Sequence, residues 1–350
     1  MHKLSLVVAS AVLVGTALTG QAPATAGTGL EGIPRFDHVV VLTEENESAS
    51  TTFGAGSPAT YLNSLRAKGV FLPNYYGTGH VSLSNYIAMV SGQPINPLTA
   101  SDCASVSLWT CVQPQAALSS GRNLGDQLEA AGLGWRAYED GTSTPCTHGP
   151  YTSGDLSPDP DQGNSTTGAK NYADRHNPFI YFPDVIENAT RCAAHQRPYT
   201  DLAGDIAADT VPAFSFITPD TCHDGHDSPC ADGSTGGLAG ADTWLQQQLP
   251  SLLSYLAAHN GLLIINFDEG STSATSANDV LCTTCASGGI GGRTGAVLIS
   301  PRLPQGATVP TSYDHDSLLR TVEDSFGISE HLNLAQVATA MTDAFAGTGT

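Results

Sequence analysis

Positive charge is scarce in this chain. Its 350 residues hold 13 Lys and Arg against 33 Asp and Glu, for a formal net charge of −20. That balance argues against nucleic acid as a partner, because a binder must offset phosphate charge with basic side chains. It argues equally against long-range attraction to anionic lipid, while leaving room for a local basic pocket. Charged residues of both signs make up only 13% of the chain and hydrophobic residues 40%, enough apolar material for a sizeable core. Beyond the first twenty residues no stretch is long and apolar enough to span a bilayer. No internal repeat is present. No second paired-cysteine unit accompanies Cys282-x-x-Cys285, so a four-ligand zinc set built on it lacks its other half.

The N-terminus reads as a targeting segment. His2 and Lys3 precede an apolar stretch from Leu4 to Leu18, and Ala24-Thr25-Ala26 supplies a small-x-small cleavage site. The expectation is a signal peptide over residues 1–26, a single catalytic domain over 27–350, and export without a stable membrane anchor. Eight cysteines, Cys103, Cys111, Cys146, Cys192, Cys222, Cys230, Cys282 and Cys285, suit an oxidising compartment. The simplest pairing joins Cys103 to Cys111, Cys222 to Cys230 and Cys282 to Cys285, which leaves Cys146 with Cys192. Other connectivities stay open at this level, as does the zinc alternative at Cys282 and Cys285.

Alternating apolar patterns predict strands at Val39–Thr43, Trp135–Tyr138, Phe179–Phe182, Ala213–Thr218 and Ala296–Ser300. Helices are predicted near Ala59–Lys68, from about Ser82, at Gly121–Ala131, at Trp244–Ala258 with an interruption at Pro250, and at Ser317–Phe326. The alternation implies an α/β sandwich, three layers around a mainly parallel sheet. Gly141–Gly168, rich in Gly, Ser, Thr, Pro and Asp, reads as an elaborated loop.

Two apolar runs end in hard oxygen ligands. Val39-Val40-Val41-Leu42-Thr43 leads to Glu45-Asn46, and Leu262-Leu263-Ile264-Ile265-Asn266-Phe267 leads to Asp268-Glu269. Open α/β sheets bind ligands outside the carboxyl ends of their strands. Four oxygen donors gathered there repel one another unless a cation joins them. Ser82 stands at a helix start, where free backbone N–H groups and the helix dipole favour an anion. Asn85 lies one turn later on the same face, within reach of a phosphate oxygen. A serine hydroxyl needs an adjacent base or metal to act as a nucleophile. Two further clusters carry His and Asp together: Asp224-Gly225-His226-Asp227 in a loop after a strand, and Asp314-His315-Asp316 before a helix. His176, in Arg175-His176-Asn177-Pro178, is a weaker candidate.

In order along the chain these motifs resemble one family, the bacterial and fungal phosphoesterases that include phospholipases C and AcpA-type acid phosphatases. Glu45-Asn46 with Phe53-Gly54 is similar to its Glu-Asn-x-Ser…Phe-Gly opening, and His80-Val81-Ser82-Leu83-Ser84-Asn85-Tyr86 to its His-Pro-Ser-x-Pro-Asn-Tyr. The resemblance continues through Trp135–Glu139, Arg175–Phe179, Phe216–Pro219, Asp224–Asp227, Asp268-Glu269, Ile299–Pro301 and His315–Asp324. Val81 and Ser84 stand where prolines are usual. The resemblance implies an alkaline-phosphatase-like fold and hydrolysis of phosphate esters. It implies Ser82 as nucleophile and Glu45, Asn46, Asp268 and Glu269 as ligands of a divalent metal ion: Ca, Mg, Mn, Zn or Fe. It makes His80, Asn85, His176, Asp224, His226 and His315 candidates to surround the phosphate or a second metal, with His226 or His315 expected to protonate the leaving alcohol. The expected substrate is a small phosphate monoester. The alternatives are a phosphodiester or phospholipid, as for a phospholipase C, and a non-catalytic, metal-stabilised binding protein.

Overall fold

The computed structural model describes residues 28–103, 111, 122–149, 171–271 and 281–347. The expected signal peptide and most of the Gly141–Gly168 loop lie outside the described residues. Ten strands are present among those described: β1 His38–Glu44, β2 Gly69–Leu72, β3 Tyr75–Tyr76, β4 Trp135–Glu139, β5 Gln196–Pro198, β6 Phe214–Thr218, β7 Gly261–Phe267, β8 Ala296–Ile299, β9 Ala307–Thr308 and β10 Tyr313–Asp314. Eight form one sheet in the order β5-β4-β6-β1-β7-β8-β2-β9, and β10 pairs with β3. The first five strands of that order run parallel, whereas β8 is antiparallel to both β7 and β2.

The central strands are buried on both faces, which is why their sequences are unbroken β-branched and leucine runs. Alternate residues feed two cores. Val39 and Val41 join Tyr86, Phe179, Phe216 and Leu318 on one face. Val40 and Leu42 join Leu245, Leu249 and Leu252 on the other. The helix Ser82–Ser91 is buried at every position, its polar Ser82, Ser84, Asn85 and Ser91 included. The helix Gly237–Ala258 covers the opposite face. The three-layer α/β arrangement is as expected.

Two local expectations are corrected. Phe179–Phe182 is not a strand: Pro178–Tyr181 forms a 3₁₀ turn that begins on proline. Its aromatics are buried by stacking over β4, with Phe179 against Trp135 at 4.4 Å, not by pairing in a sheet. Periodicity alone does not separate these two ways of burying a short apolar run. Nor does Pro250 interrupt its helix, which starts earlier, at Gly237. The carbonyl that proline leaves without a donor belongs to the exposed Gln246, and the buried stripe Leu245, Leu249, Leu252 and Leu256 runs past it unchanged.

The disulfides are Cys103–Cys111, Cys146–Cys192, Cys222–Cys230 and Cys282–Cys285, the simplest pairing read from the spacing. No free cysteine remains among the described residues, and the zinc alternative falls because both of its thiolates are consumed. Cys222–Cys230 closes the loop that carries Asp224 and His226.

Because loop closure restrains the unfolded chain, the long Cys146–Cys192 bridge, with a sequence separation of 46, should contribute most. Replacing that pair by serine should cost about 4 kcal/mol, against about 2.5 kcal/mol for Cys222–Cys230. Urea unfolding of the two double variants checks the ranking, and equal losses would contradict it.

Candidate active site

Backbone hydrogen bonds lock three strand ends together. The Asp268 amide donates to the Glu44 carbonyl at 2.9 Å, and the Glu45 amide to the Asp224 carbonyl at 2.8 Å. Parallel pairing of β1 with β7 and β6 thereby brings residues 224 and 179 positions apart in sequence to one point. Asn46 takes a left-handed backbone at φ 56°, which turns its amide onto Asp268 Oδ1 at 3.0 Å. Its side-chain amide donates to Glu45 Oε2 at 2.9 Å. The Ser82 hydroxyl donates to that same oxygen at 3.0 Å.

His176 sits between two carboxylates. Its Nε2 lies 3.3 Å from Glu45 Oε1, and its Nδ1 lies 3.3 Å from Asp224 Oδ2. Its ring stacks on Tyr86 at 5.1 Å, nearly parallel. Burial, with the Arg175 charge next, holds the imidazole well below its ordinary pKa, so it is neutral. A neutral imidazole has a single N–H and can serve only one of the two acids. Burial, then the Asp268 and Asp224 charges, push Glu45 far above the usual carboxylate range. Burial likewise raises Asp224. Asp268 is pushed up to about 8 by burial and the Glu269 charge. Glu45 Oε1, Asp224 Oδ2, Asp268 Oδ2 and both His176 nitrogens lack a hydrogen-bond partner. Such a set is held either by protons or by a cation, and its oxygen and imidazole donors fit a divalent metal.

A second cluster of ligand-type side chains, Asp220, Cys222 and His223, does not fit one. The Cys222 sulfur is bonded to Cys230. His223 meets Asp140 at 2.8 Å and Asp220 at 2.9 Å. Burial works against the charge, yet hydrogen bonds to these two acids push its pKa up to about 10. A protonated imidazole offers no lone pair.

The turn before Ser82 is held by residues read from sequence as chemical groups. Asn85 is fully buried, and its Oδ1 accepts the amides of Thr78 and Gly79 at 2.8 and 3.0 Å and the Thr78 hydroxyl at 3.1 Å. Its Nδ2 donates to the carbonyls of Gly79 and Val81. That amide is spent on the loop, which corrects its reading as a phosphate ligand. Glu269 contacts His80 Nδ1 at 2.6 Å and accepts the Val81 amide at 3.1 and 3.2 Å. It thereby clasps this turn, while its charge still acts on Asp268 and Glu45. Val81 has φ 102°, a costly backbone for a β-branched residue. Proline could neither adopt that φ nor donate the amide hydrogen that Glu269 accepts.

The histidines expected to protonate the leaving group are differently engaged. His315 is wholly buried, with Nε2 on the Asp268 carbonyl at 2.6 Å and Nδ1 on the Tyr75 hydroxyl at 2.9 Å. Both ring nitrogens are committed, so it braces Asp268. At His226, Nε2 faces the Arg175 guanidinium at 3.4 Å and Nδ1 faces Asp227 at 2.9 Å. A guanidinium only donates, which makes Nε2 the acceptor and leaves it no proton to give. His176 and Asp224, expected around the substrate or a second metal, are buried beside Glu45. His80, two residues from Ser82, keeps a side chain 40% exposed. Asp102 was not foreseen: its Oδ1 accepts the Leu83 amide at 2.9 Å and so caps the helix of Ser82. No local pattern flags it, because the cap comes from nineteen residues away.

Asn85→Ala removes five contacts within one turn. Stability should fall by about 2–4 kcal/mol, the range of a broken buried network, and Asn85→Asp should not restore it, because a carboxylate cannot donate to the Gly79 and Val81 carbonyls. Urea denaturation of both variants checks this, and wild-type stability in either would contradict the bracing role.

A family model described as the phosphoesterase family matches residues 55–329. A probable acid phosphatase of Kluyveromyces lactis is 27% identical over 275 residues, 76% of this chain and 53% of that protein. A phosphatidylinositol-3-phosphatase of Mycobacterium tuberculosis is 27% identical over 248 residues, 71% of this chain and 68% of that protein. The chain thus spans about half the length of the first and about two thirds of the second. A solved alkaline-phosphatase-superfamily protein from Vibrio parahaemolyticus superposes with a TM-score of 0.50 at 12% identity, covering 84% of this chain and 67% of that one, which speaks to fold. With the match extending over most of its length, this chain belongs to the phosphoesterase family.

Proposed function

We propose that the protein hydrolyses phosphate monoesters, with Ser82 as nucleophile and a divalent cation held by Glu45, Asp224, Asp268 and His176. The observation that carries this reading is the Ser82 hydroxyl donating to Glu45 Oε2, while Glu45 Oε1 and its neighbours present unpartnered acceptors. When bound, the cation screens the phosphate from these acids and lowers the pKa of a nearby hydroxyl. Asn46 completes the cradle by pinning Asp268 and Glu45.

Ser82 passes its proton to Glu45 Oε2 as its oxygen attacks phosphorus in line, and the bond to the alcohol oxygen breaks. His80, oriented by Glu269, stands in for His226 and His315 as the group that protonates the departing alkoxide. A water molecule then attacks the phosphorus of the phosphoserine and gives a proton to His80, the bond to the serine oxygen breaks, phosphate leaves, and Glu45 returns the hydroxyl proton to Ser82. The monoester preference is supported by the acid-phosphatase and phosphatidylinositol-3-phosphatase relatives. Four disulfides and the expected signal segment support export. Among the described residues no helix is long and apolar enough to cross a membrane.

Ser82→Ala should lower turnover of a nitrophenyl phosphate by at least about a thousandfold while bound metal is retained. Turnover within tenfold of wild type rules Ser82 out as nucleophile. A bis-nitrophenyl ester assayed alongside separates a monoesterase from a phosphodiesterase of phospholipase C type.

Chelation should make stability depend on pH in a defined direction. Asp268 titrates near 3.8 when unfolded and at about 8 in the folded protein, so between these values the folded state binds more protons. Stability of the chelated protein should therefore fall as pH rises from about 4 to about 8. Asp268→Asn should flatten that slope, and so should saturating Mn²⁺. Thermal unfolding across the window tests both, and a slope unchanged in Asp268→Asn assigns the titration elsewhere.

A further inference from the structure

A second set of buried oxygens lies behind the turn that delivers His176. Glu139 ends β4, is 4% exposed, and its Oε1 has no hydrogen-bond partner. The nearest like charge acting on it is Asp174, whose Oδ2 accepts the Gly149 amide at 2.6 Å. Asp174 and Asn177 lie three residues apart along the 3₁₀ turn Asp174–His176 and its cap, a spacing that stacks side chains on one face. Asn177 is 1% exposed. Its Nδ2 donates to the Tyr172 hydroxyl at 3.1 Å, and its Oδ1 has no partner.

Gln196 adds a third unpartnered donor. Its backbone pairs with Ala137, so its side chain shares the face of Ala137 and Glu139, one pleat below Glu139 on the neighbouring strand. It is 1% exposed, and both atoms of its amide lack partners. Phe179 packs over Trp135 on that same face, which places the preceding Asn177 above the end of β4. β4, the neighbouring strand β5 and the 3₁₀ turn thus bury two carboxylates and two amides in one region behind His176.

We propose that Glu139, Asp174, Asn177 and Gln196 form a second cation site of calcium type, which ties the ends of β4 and β5 to the turn carrying Arg175 and His176. The donors are all oxygens and include no nitrogen or sulfur, the set preferred by hard cations. They are irregularly disposed and almost wholly buried, which favours Ca²⁺ over Mg²⁺, since Mg²⁺ retains several of its waters. The role is structural. His176 meets Glu45 and Asp224, and Arg175 meets His226, only while their turn is held against β4. The site is separate from the Glu45 cluster and does not depend on the reading given to it.

Asp268→Asn in the full chain disables the first cluster and leaves the second. That variant should still bind about one equivalent of Ca²⁺ by equilibrium dialysis, and Ca²⁺ should raise its unfolding temperature. Adding Glu139→Gln should abolish both effects. Tb³⁺ offers a measurement on the same Asp268→Asn protein without touching Glu139: excitation of tryptophan should sensitise Tb³⁺ through Trp135 on the same strand face, and Ca²⁺ should quench that emission. If the doubly substituted protein fails to fold, Asn177→Ala in the Asp268→Asn background replaces it, with Ca²⁺ affinity expected to fall at least tenfold. Absence of Ca²⁺ binding and of Ca²⁺-displaceable emission in Asp268→Asn overturns the proposal. So does undiminished Ca²⁺ binding after Glu139→Gln or Asn177→Ala, which would leave Glu139 as a buried, protonated acid.

Discussion

Like charge held out of water is the constraint on which the rest of this structure depends. Glu45, Asp224 and Asp268 end three neighbouring segments at the carboxyl edge of the sheet, each wholly buried. A carboxylate in such a place either keeps its proton or meets a cation. The surrounding structure is arranged to tolerate neither a gap nor a slip. Parallel pairing of β1 with β6 and β7 sets the spacing, and the Asn46 amide and the His315 ring hold Asp268 from two sides. Beneath them Thr43, Asn266 and Met89 form a buried polar contact.

Ser82 depends on a separate set of braces. Its turn contains a valine at positive φ, a conformation that persists only when neighbours over-determine it. Glu269, His80 and Asn85 supply that determination, and Asp102 caps the helix that follows. Two acids adjacent in sequence therefore do different work. Asp268 faces the Glu45 cluster, whereas Glu269 faces the turn. Successive side chains leaving a strand point in opposite directions, and this divergence follows from that geometry.

Disulfides complete the frame where secondary structure is sparse. Cys222–Cys230 closes the loop presenting Asp224 and His226, and Cys146–Cys192 ties the segment after β4 to the helix before β5. Both lie at the edge of the sheet where connecting segments are long. The region behind His176 also holds the unpartnered oxygens of Glu139, Asn177 and Gln196.

Much of this was legible in the amino-acid sequence. Unbroken apolar runs announced buried strands, three short cysteine spacings suggested the simplest pairing, and acids placed at strand ends announced the gathering point of the site. Those features are local, and local periodicity and chemistry suffice to read them. What each polar group does was decided by tertiary structure. Asn85 became a brace because the Thr78–Val81 turn folds back over it, and His315 lost both nitrogens to Tyr75 and Asp268. His226 turned Nε2 to the Arg175 guanidinium, and Phe179 joined a 3₁₀ turn packed against Trp135. A side chain's type states what it can donate or accept, but its partner is set by contacts between residues far apart in the chain. That partner, together with the exclusion of water around it, determines where the proton resides and which atoms remain for a ligand.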